Sequence, residues 1–204
     1  YNWCDEQPVD QENSHCSLAE GFGLSDAFNV VFAGTMGVMQ GLDVVLDAAR
    51  ICVGSDPNIR FVLVGDGYLK ESLIKKTFGN SNITFIDKIN KSQVQNMLKL
   101  FNICFIGRND TPLFDYGVSS NKYFDYMLAS KPIIESSNLI KSPVELSECG
   151  VIVAPESGIS IVEGILTLKN LPVKKLEIIG EKGRIYVRKY HNFDSLSAKY
   201  LKLF

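Results

Sequence analysis

The apolar residues of this sequence fall into short runs that are separated by stretches with helical spacing. Six runs are rich in β-branched side chains and are almost unbroken in their apolar character. This pattern is typical of strands that are covered on both faces, as in a parallel sheet. The six predicted strands are 29–34, 59–65, 83–86, 102–107, 131–136 and 150–155.

Between these runs, apolar side chains recur every three or four positions, as they do on one face of a helix. The spacing is clearest over 42–53, and the segment 54–57 ends that helix. Strand and helix alternate six times, which predicts an α/β fold, a Rossmann-like doubly wound parallel six-stranded sheet with helices on both faces. The other predicted helices are 67–78, 91–101, 120–130, 141–148, 158–169, 173–190 and 194–203.

Composition and charge narrow the class of protein further. The 204 residues are 46% apolar and 22% charged, which is typical of one globular domain with a sizeable core. The net charge of the chain is −2, whereas nucleic-acid-binding proteins usually carry an excess of basic residues, so we expect no nucleic-acid partner. No apolar run has the length of about 18 residues that a membrane span needs.

The five cysteines are scattered, odd in number and mostly set inside apolar segments. This distribution favours reduced core residues of a cytoplasmic protein over disulfides or a metal cluster. His15 and His191 are far apart and have no ligand at metal-site spacing, so we predict no metal. The cysteines are Cys4, Cys16, Cys52, Cys104 and Cys149.

The loop after the first strand contains Gly34 and Gly37 and is predicted to lead straight into a helix. In a doubly wound sheet, ligands bind beyond the carboxyl ends of the strands, where the strand order reverses. Glycines there let the backbone approach a phosphate, and a helix start offers free N–H groups. A purely structural glycine turn is an equal alternative for this loop.

A second loop enters a helix at Ser119 or Ser120, either of which is a good N-cap residue. Lys122 in the first turn opposes the helix dipole, which favours an anion lying between the helix start and the ammonium group. Asp125, one turn later and near Asn121, could accept hydrogen bonds from a ribose diol. The alternatives are a solvated lysine and a simple ion pair within the helix.

The string SSNKYFDYMLASKPII in this region resembles the donor-site helix of retaining GT-B glycosyltransferases. The resemblance is strongest to the family 4 branch that builds bacterial surface polysaccharides. The strings AGTMGVMQGLDVVLDAAR, PNIRFVLVGDGYLKESL and SECGVIVAPES are similar to other segments of the same branch, in the same order. Together they cover most of residues 26–170.

The resemblance implies roles for individual residues. Asp125 matches the carboxylate that binds the nucleotide ribose, and Lys88 matches a position near the base. The donor diphosphate would bind Gly34, Gly37, Ser119, Ser120, Asn121, Lys122 and Arg108. Among these, Lys122 and then Arg108 are expected to supply the positive charge.

Three positions depart from the family pattern. Thr35 and Gln40 stand where many members have an arginine and a lysine, and Gly117 replaces the first glutamate of the EX7E pattern. These departures affect the contacts to the donor sugar more than those to the nucleotide.

The resemblance also predicts a domain organisation and an activity. Residues 1–25 are expected to be an interdomain linker and lead-in, 26–190 the nucleotide-sugar-binding domain, and 191–204 a terminal helix that packs towards an absent N-terminal domain. The enzyme would transfer a sugar, with retention, from a nucleoside diphosphate sugar to a saccharide or lipid-linked acceptor held by that domain. A UDP-sugar is favoured over a GDP-sugar, and no cofactor is expected.

A basic cluster late in the chain has two interpretations, a solvated helix face and a contact with anionic lipid. The second would place a cytoplasmic enzyme at the inner face of the plasma membrane. The cluster consists of Lys169, Lys174, Lys175, Lys182, Arg184, Arg188 and Lys189.

Two rival functions share this architecture. A non-hydrolysing nucleotide-sugar epimerase would need acid and base groups in the cleft, and the sequence offers no convincing candidates. A flavodoxin-like or receiver-type regulatory module would need acidic residues after the first strand, where Gly34 and Thr35 stand instead.

Overall fold

A computed structural model describes Leu24 and residues 27–111 and 120–201 of the chain. The strands are β1 Phe28–Ala33, β2 Ile59–Val64, β3 Ile83–Ile86, β4 Ile103–Gly107, β5 Ile133–Ser136 and β6 Gly150–Val153. The helices are α1 Leu42–Ser55, α2 Lys70–Lys76, α3 Lys91–Leu98, α4 Asn121–Leu128, α5 Pro143–Ser147, α6 Gly158–Lys169, α7 Val173–Tyr190 and α8 Phe193–Leu201. A short 3-10 turn, Val38–Gln40, lies between β1 and α1.

The six strands form one sheet in the order β3-β2-β1-β4-β5-β6, and every neighbouring pair is parallel. The predicted fold class and all six strands are therefore confirmed. The strand order reverses between β1 and β4, which is where a doubly wound sheet leaves a crevice for a ligand.

The core has two layers, one on each face of the sheet, and β1 shows how the sequence fills both. Phe28, Val30 and Phe32 pack into the layer with α1 and α6. Val31 and Ala33 point the other way, into the layer with α3, α4 and α7. Because successive strand side chains alternate between faces, an unbroken apolar run supplies both layers at once.

The edge strands differ from the prediction that every strand is covered on both faces. The central strand β1 is fully buried, whereas β3 and β6 are mostly half-buried. Ile152 in β6 is 38% exposed. An edge strand has a neighbour on one side only, so the flanking helices cover it less completely.

The connection after β1 also differs from the prediction. The glycine loop leads first into the 3-10 turn, and Gly41 adopts a left-handed conformation with φ 54° before α1 begins. The start of α1 is therefore set back from the loop by one turn.

Two predictions from composition can be checked on the described residues. Cys52, Cys104 and Cys149 are free and buried, and burial raises the pKa of Cys52 and of Cys149 to about 11. Cys4 and Cys16 lie outside the described residues. In the described part of the chain, every helix falls short of the length and apolar character needed to cross a membrane.

Candidate functional site

A cavity of about 330 Å³ lies beyond the carboxyl ends of β1, β2 and β3, against helices α3 and α4. It is where the reversal of strand order predicts a ligand. Five residues singled out from the sequence line this cavity, namely Gly34, Lys88, Asn121, Lys122 and Asp125. The other lining residues are Ala33, Thr35, Val64, Gly65, Asp66, Ile89, Val94 and Met97.

The loop after β1 is fixed against α4 by a buried tyrosine. The Tyr126 hydroxyl accepts a hydrogen bond from the Ala33 N–H at 2.8 Å and donates one to the Ala33 carbonyl at 3.2 Å. The next residue, Gly34, has φ 144°, a conformation that favours glycine. A side chain added at Gly34 would overlap Cε of Lys122 and lie 2.8 Å from its Nζ. The missing side chain therefore leaves the space through which Lys122 crosses from α4 to β1.

Lys122 is a cation without an ionic partner among the described residues. Its side chain is half-buried, and Nζ lies 5.3 Å from the centre of the Phe32 ring. Burial, and then the charge of Arg108, lower the pKa of Lys122, while Asp125 opposes this shift. A cation at the amino end of a helix, beside a second cation, is an arrangement that an anion would stabilise.

Asp125 lies one turn along α4 and lines the same cavity. Burial raises the pKa of its carboxyl, against a hydrogen bond from Gln95 and the charges of Lys91 and Lys122. The carboxylate is therefore held beside the cavity but is poorly solvated. Hydroxyl groups of a ligand would supply the hydrogen bonds that burial has removed.

The loop after β2 forms a wall of the cavity that the sequence analysis did not predict. Gly65 has φ 139°, and an added side chain there would overlap the carbonyl of Gly34. Gly67 has φ 152°, and an added side chain would lie 2.7 Å from the backbone nitrogen of Met36. These two glycines let the loops after β1 and β2 touch. The Gly-Asp-Gly string directly after a buried strand was the signal that could have indicated this.

The loop after β3 is tied to the same wall by Lys70. Its Nζ donates a hydrogen bond to the Gly65 carbonyl at 3.0 Å and forms an ion pair with Asp87 at 2.6 Å. The ion pair lowers the pKa of Asp87. The contact fixes the backbone immediately before Lys88, which lines the cavity as predicted from the sequence.

Part of the cavity lining is apolar. Val94 and Met97 of α3 line it together with Val64 and Ile89, and Met97 is fully buried. A pocket lined by both charged and apolar side chains suits an amphipathic ligand such as a nucleotide.

Arg108, the second cation predicted for a diphosphate, lies outside the cavity lining and faces the interior instead. Its Nη2 donates a hydrogen bond at 3.0 Å to the hydroxyl of Tyr123, which in turn donates to Glu135. The Ser137 hydroxyl also donates to Glu135, at 2.8 Å. Glu135 is fully buried in β5. The sequence analysis missed this network, although an acidic residue inside an apolar strand run was a signal for it.

The remaining predicted residues are placed as follows. Gly37 is outside the cavity lining, and its N–H donates to the Gln40 side chain at 3.2 Å. Ser120 is the N-cap residue of α4, but its side chain makes no capping hydrogen bond. Ser119 and Gly117 lie outside the described residues.

The family of the chain follows from comparison with known proteins. Residues 27–170 match the family model described as glycosyl transferases group 1. Because this match covers more than half of the chain, the protein belongs to that family. None of the curated proteins matches the sequence at a significant level.

Solved structures support the fold. HepE from Anabaena, solved with UDP-glucose, has a TM-score of 0.75 at 15% identity, over 96% of this chain and 54% of that chain. TarM from S. aureus, solved with UDP, fondaparinux and α-GlcNAc-glycerol, has a TM-score of 0.76 at 15% identity, over 98% and 38%. The C-terminal domain of LpcC from Francisella tularensis, a glycosyl transferase group 1 family protein, has a TM-score of 0.70 at 16% identity, over 92% and 96%.

The chain spans about half the length of HepE and less than half of TarM. It corresponds almost end to end to the LpcC C-terminal domain. At these identities the likeness shows the fold, an α/β domain of the kind found in one half of a GT-B protein.

Proposed function

We propose that this chain is the donor-binding domain of a retaining glycosyltransferase and that its cavity binds a nucleoside diphosphate sugar. The observation that carries the proposal is Lys122, whose half-buried side chain lines a cavity and has no ionic partner among the described residues. Removing a charge from water costs free energy unless an opposite charge compensates it. A diphosphate in the cavity provides that compensation.

The first turn of α4 adds a second source of positive potential. Lys122 is the second residue of α4, after the N-cap residue Ser120, so its N–H group is among those that the helix itself does not bond. Backbone N–H groups and an ammonium group together form an anion site that is suited to phosphate. During transfer, the same groups would stabilise the charge that builds up on the departing diphosphate.

The other lining residues fit the nucleoside. Asp125 accepts hydrogen bonds from the ribose hydroxyls, and the base lies towards Lys88 and the apolar wall of Val94 and Met97. A cavity of about 330 Å³ is at the small end of the range for ligand pockets, which favours a single-ring base. HepE and TarM were both solved with uridine nucleotides, which supports a UDP-sugar as the donor.

The remainder of the proposal concerns the whole enzyme. Residues 1–25 connect to an acceptor-binding domain, residues 26–190 bind the donor, and residues 191–204 pack towards that other domain. The acceptor is a lipid-linked saccharide of a surface polysaccharide such as lipopolysaccharide O-antigen, and the enzyme acts in the cytoplasm at the inner face of the plasma membrane. Bringing donor and acceptor together in the cleft between domains supplies much of the rate enhancement.

A calorimetric titration with UDP tests the donor site. We expect Lys122→Met to weaken UDP binding about 10-fold to 100-fold, since a charge-assisted hydrogen bond contributes about 1.5–3 kcal/mol. Lys75→Met, which removes an exposed lysine from α2, is the matched control and should leave the affinity unchanged. Equal UDP affinity in the wild type and in Lys122→Met would refute the proposal.

A further inference from the structure

The outward face of helix α7 combines exposed isoleucines with lysines and is unrelated to the cavity. Ile178 and Ile185 are 59% and 58% exposed and lie two helical turns apart on the same side. Lys174 precedes the first by four residues, and Lys189 follows the second by four. These four side chains form a continuous stripe, which we call the α7 stripe.

Close packing on the opposite side fixes which face of α7 points outward. A side chain added at Gly180 would overlap the carbonyl of Ser130, and one added at Gly183 would lie 3.1 Å from Met127. Val187 is fully buried on the same side. The helix therefore cannot rotate about its axis to bury the isoleucines without a clash with the backbone after α4.

Positive charge is concentrated on this helix. It carries six basic and two acidic residues, although the whole chain has a net charge of −2. Lys174 forms no ion pair within the described residues, and the Lys189 ammonium lies over the ring of Tyr190 at 5.0 Å. Glu181, on the flank of the stripe, is bound to Arg184 at 2.7 Å. The α7 stripe thus presents positive charge that its own helix does not neutralise.

We infer that the α7 stripe binds the surface of a bilayer that contains anionic phospholipid. Lysines can contact lipid phosphates while the isoleucines between them enter the apolar layer beneath. Charge complementarity also sets the orientation, because the rest of the chain is net acidic and would be repelled. A nucleic acid would match the charge but would leave the isoleucines without an apolar partner. The inference deepens the proposed location at a membrane and does not depend on the donor site.

The test is co-sedimentation of the full chain with phospholipid vesicles. We expect binding to vesicles of equal parts phosphatidylglycerol and phosphatidylcholine, no binding to phosphatidylcholine alone, and loss of binding at high salt. Absence of binding to the anionic vesicles at low salt would overturn the inference, as would preferential binding to a mixed-sequence RNA oligomer. UDP titrations on the same samples report on the donor site separately.

A matched pair of variants locates the surface. Lys189→Glu combined with Ile185→Ser should reduce vesicle binding at least several-fold. Lys75→Glu combined with Ile74→Ser makes the same chemical change on α2, where Ile74 is 44% exposed, and should leave binding unchanged. Equal losses in both variants would overturn the assignment to α7. Unchanged melting temperatures and UDP-induced shifts would show that both variants fold.

Discussion

Two cations lie near the amino end of α4 and differ in their surroundings. Arg108 donates to the Tyr123 hydroxyl, which connects it to the buried carboxylate of Glu135. Lys122, one residue before Tyr123, lines an open cavity and has no ionic partner among the described residues. The first charge is balanced within the protein, whereas the second is left to be balanced by something else.

This comparison separates structural charges from binding charges. A buried ion that already has hydrogen-bonded partners contributes to the fold, and removing one partner leaves the other uncompensated. A partly buried ion without a partner destabilises the fold, and a protein retains such an ion where it contributes to the binding of a ligand. Substitutions in the two regions should therefore change stability in opposite directions.

The largest expected effect lies in the structural region. Glu135→Leu removes the buried carboxylate that accepts hydrogen bonds from the hydroxyls of Tyr123 and Ser137, and we expect a loss of about 1–3 kcal/mol in the free energy of unfolding. Urea denaturation measures this loss. The control is Glu163→Leu, an exposed position on α6, where the change should stay within about 0.5 kcal/mol. A loss below about 1 kcal/mol for Glu135→Leu would mean that the network is not structural.

A substitution in the cavity is expected to change the free energy of unfolding in the opposite direction. Lys122→Met should raise the free energy of unfolding of the ligand-free protein by about 1 kcal/mol, although it weakens UDP binding. Because burial lowers the pKa of Lys122 in the folded state, its charge destabilises the fold below that pKa and ceases to do so above the unfolded value. The advantage of the variant should shrink as pH rises towards 10.5, the ordinary lysine value. A destabilised variant would contradict the comparison.

Asp125 offers a smaller test that depends on the ligand. Asp125→Asn should weaken UDP binding about fivefold, because one charge-assisted hydrogen bond to the ribose becomes a neutral one. For 2′-deoxy-UDP the difference between wild type and variant should be smaller. Isothermal titration of both nucleotides into both proteins measures the coupling, and equal losses for the two nucleotides would argue against a ribose contact.

The smallest expected effect is the pH dependence of UDP affinity around neutral pH, where only a fraction of either group changes its charge. Affinity should fall at acid pH as Asp125, whose pKa is raised by burial, becomes protonated. It should also fall at alkaline pH as Lys122, whose pKa is lowered, loses its proton. Titrations across this range should show the alkaline decline in the wild type but not in Lys122→Met. If UDP affinity still declined at alkaline pH in Lys122→Met, the titration of a group other than Lys122 would be responsible for the decline.

Much of the fold could be predicted because each strand of a buried parallel sheet can be recognised from the few consecutive apolar residues that form it. Every strand is an apolar run, and the run in β1 fills both core layers. The partial exposure of the edge strands β3 and β6 could not be predicted, because it depends on the order of the strands in the sheet. The 3-10 turn after β1 also depends on a tertiary contact, because Gly41 lies against the backbone of Arg108.

The candidate site was predicted where one segment supplies several residues. Asn121, Lys122 and Asp125 share one helix, so their proximity follows from helical spacing. Gly65 and Met97 were missed because they reach the cavity from other elements. Arg108 was predicted to bind the diphosphate, whereas in the structure it shares Tyr123 with Glu135, and only the fold brings the ends of β4, β5 and α4 together.

The contact between Gly34 and the end of the Lys122 side chain limits which substitutions this site can accept. Since Lys122 occupies the volume that a side chain at position 34 would need, the two positions act as one unit. A residue with a side chain at position 34 would have to displace the end of the Lys122 side chain, and the backbone conformation there, with φ 144°, disfavours such a residue in any case. A redesign of this site for a different donor should therefore keep glycine at position 34 and vary position 122, where a shorter side chain makes no clash with the loop.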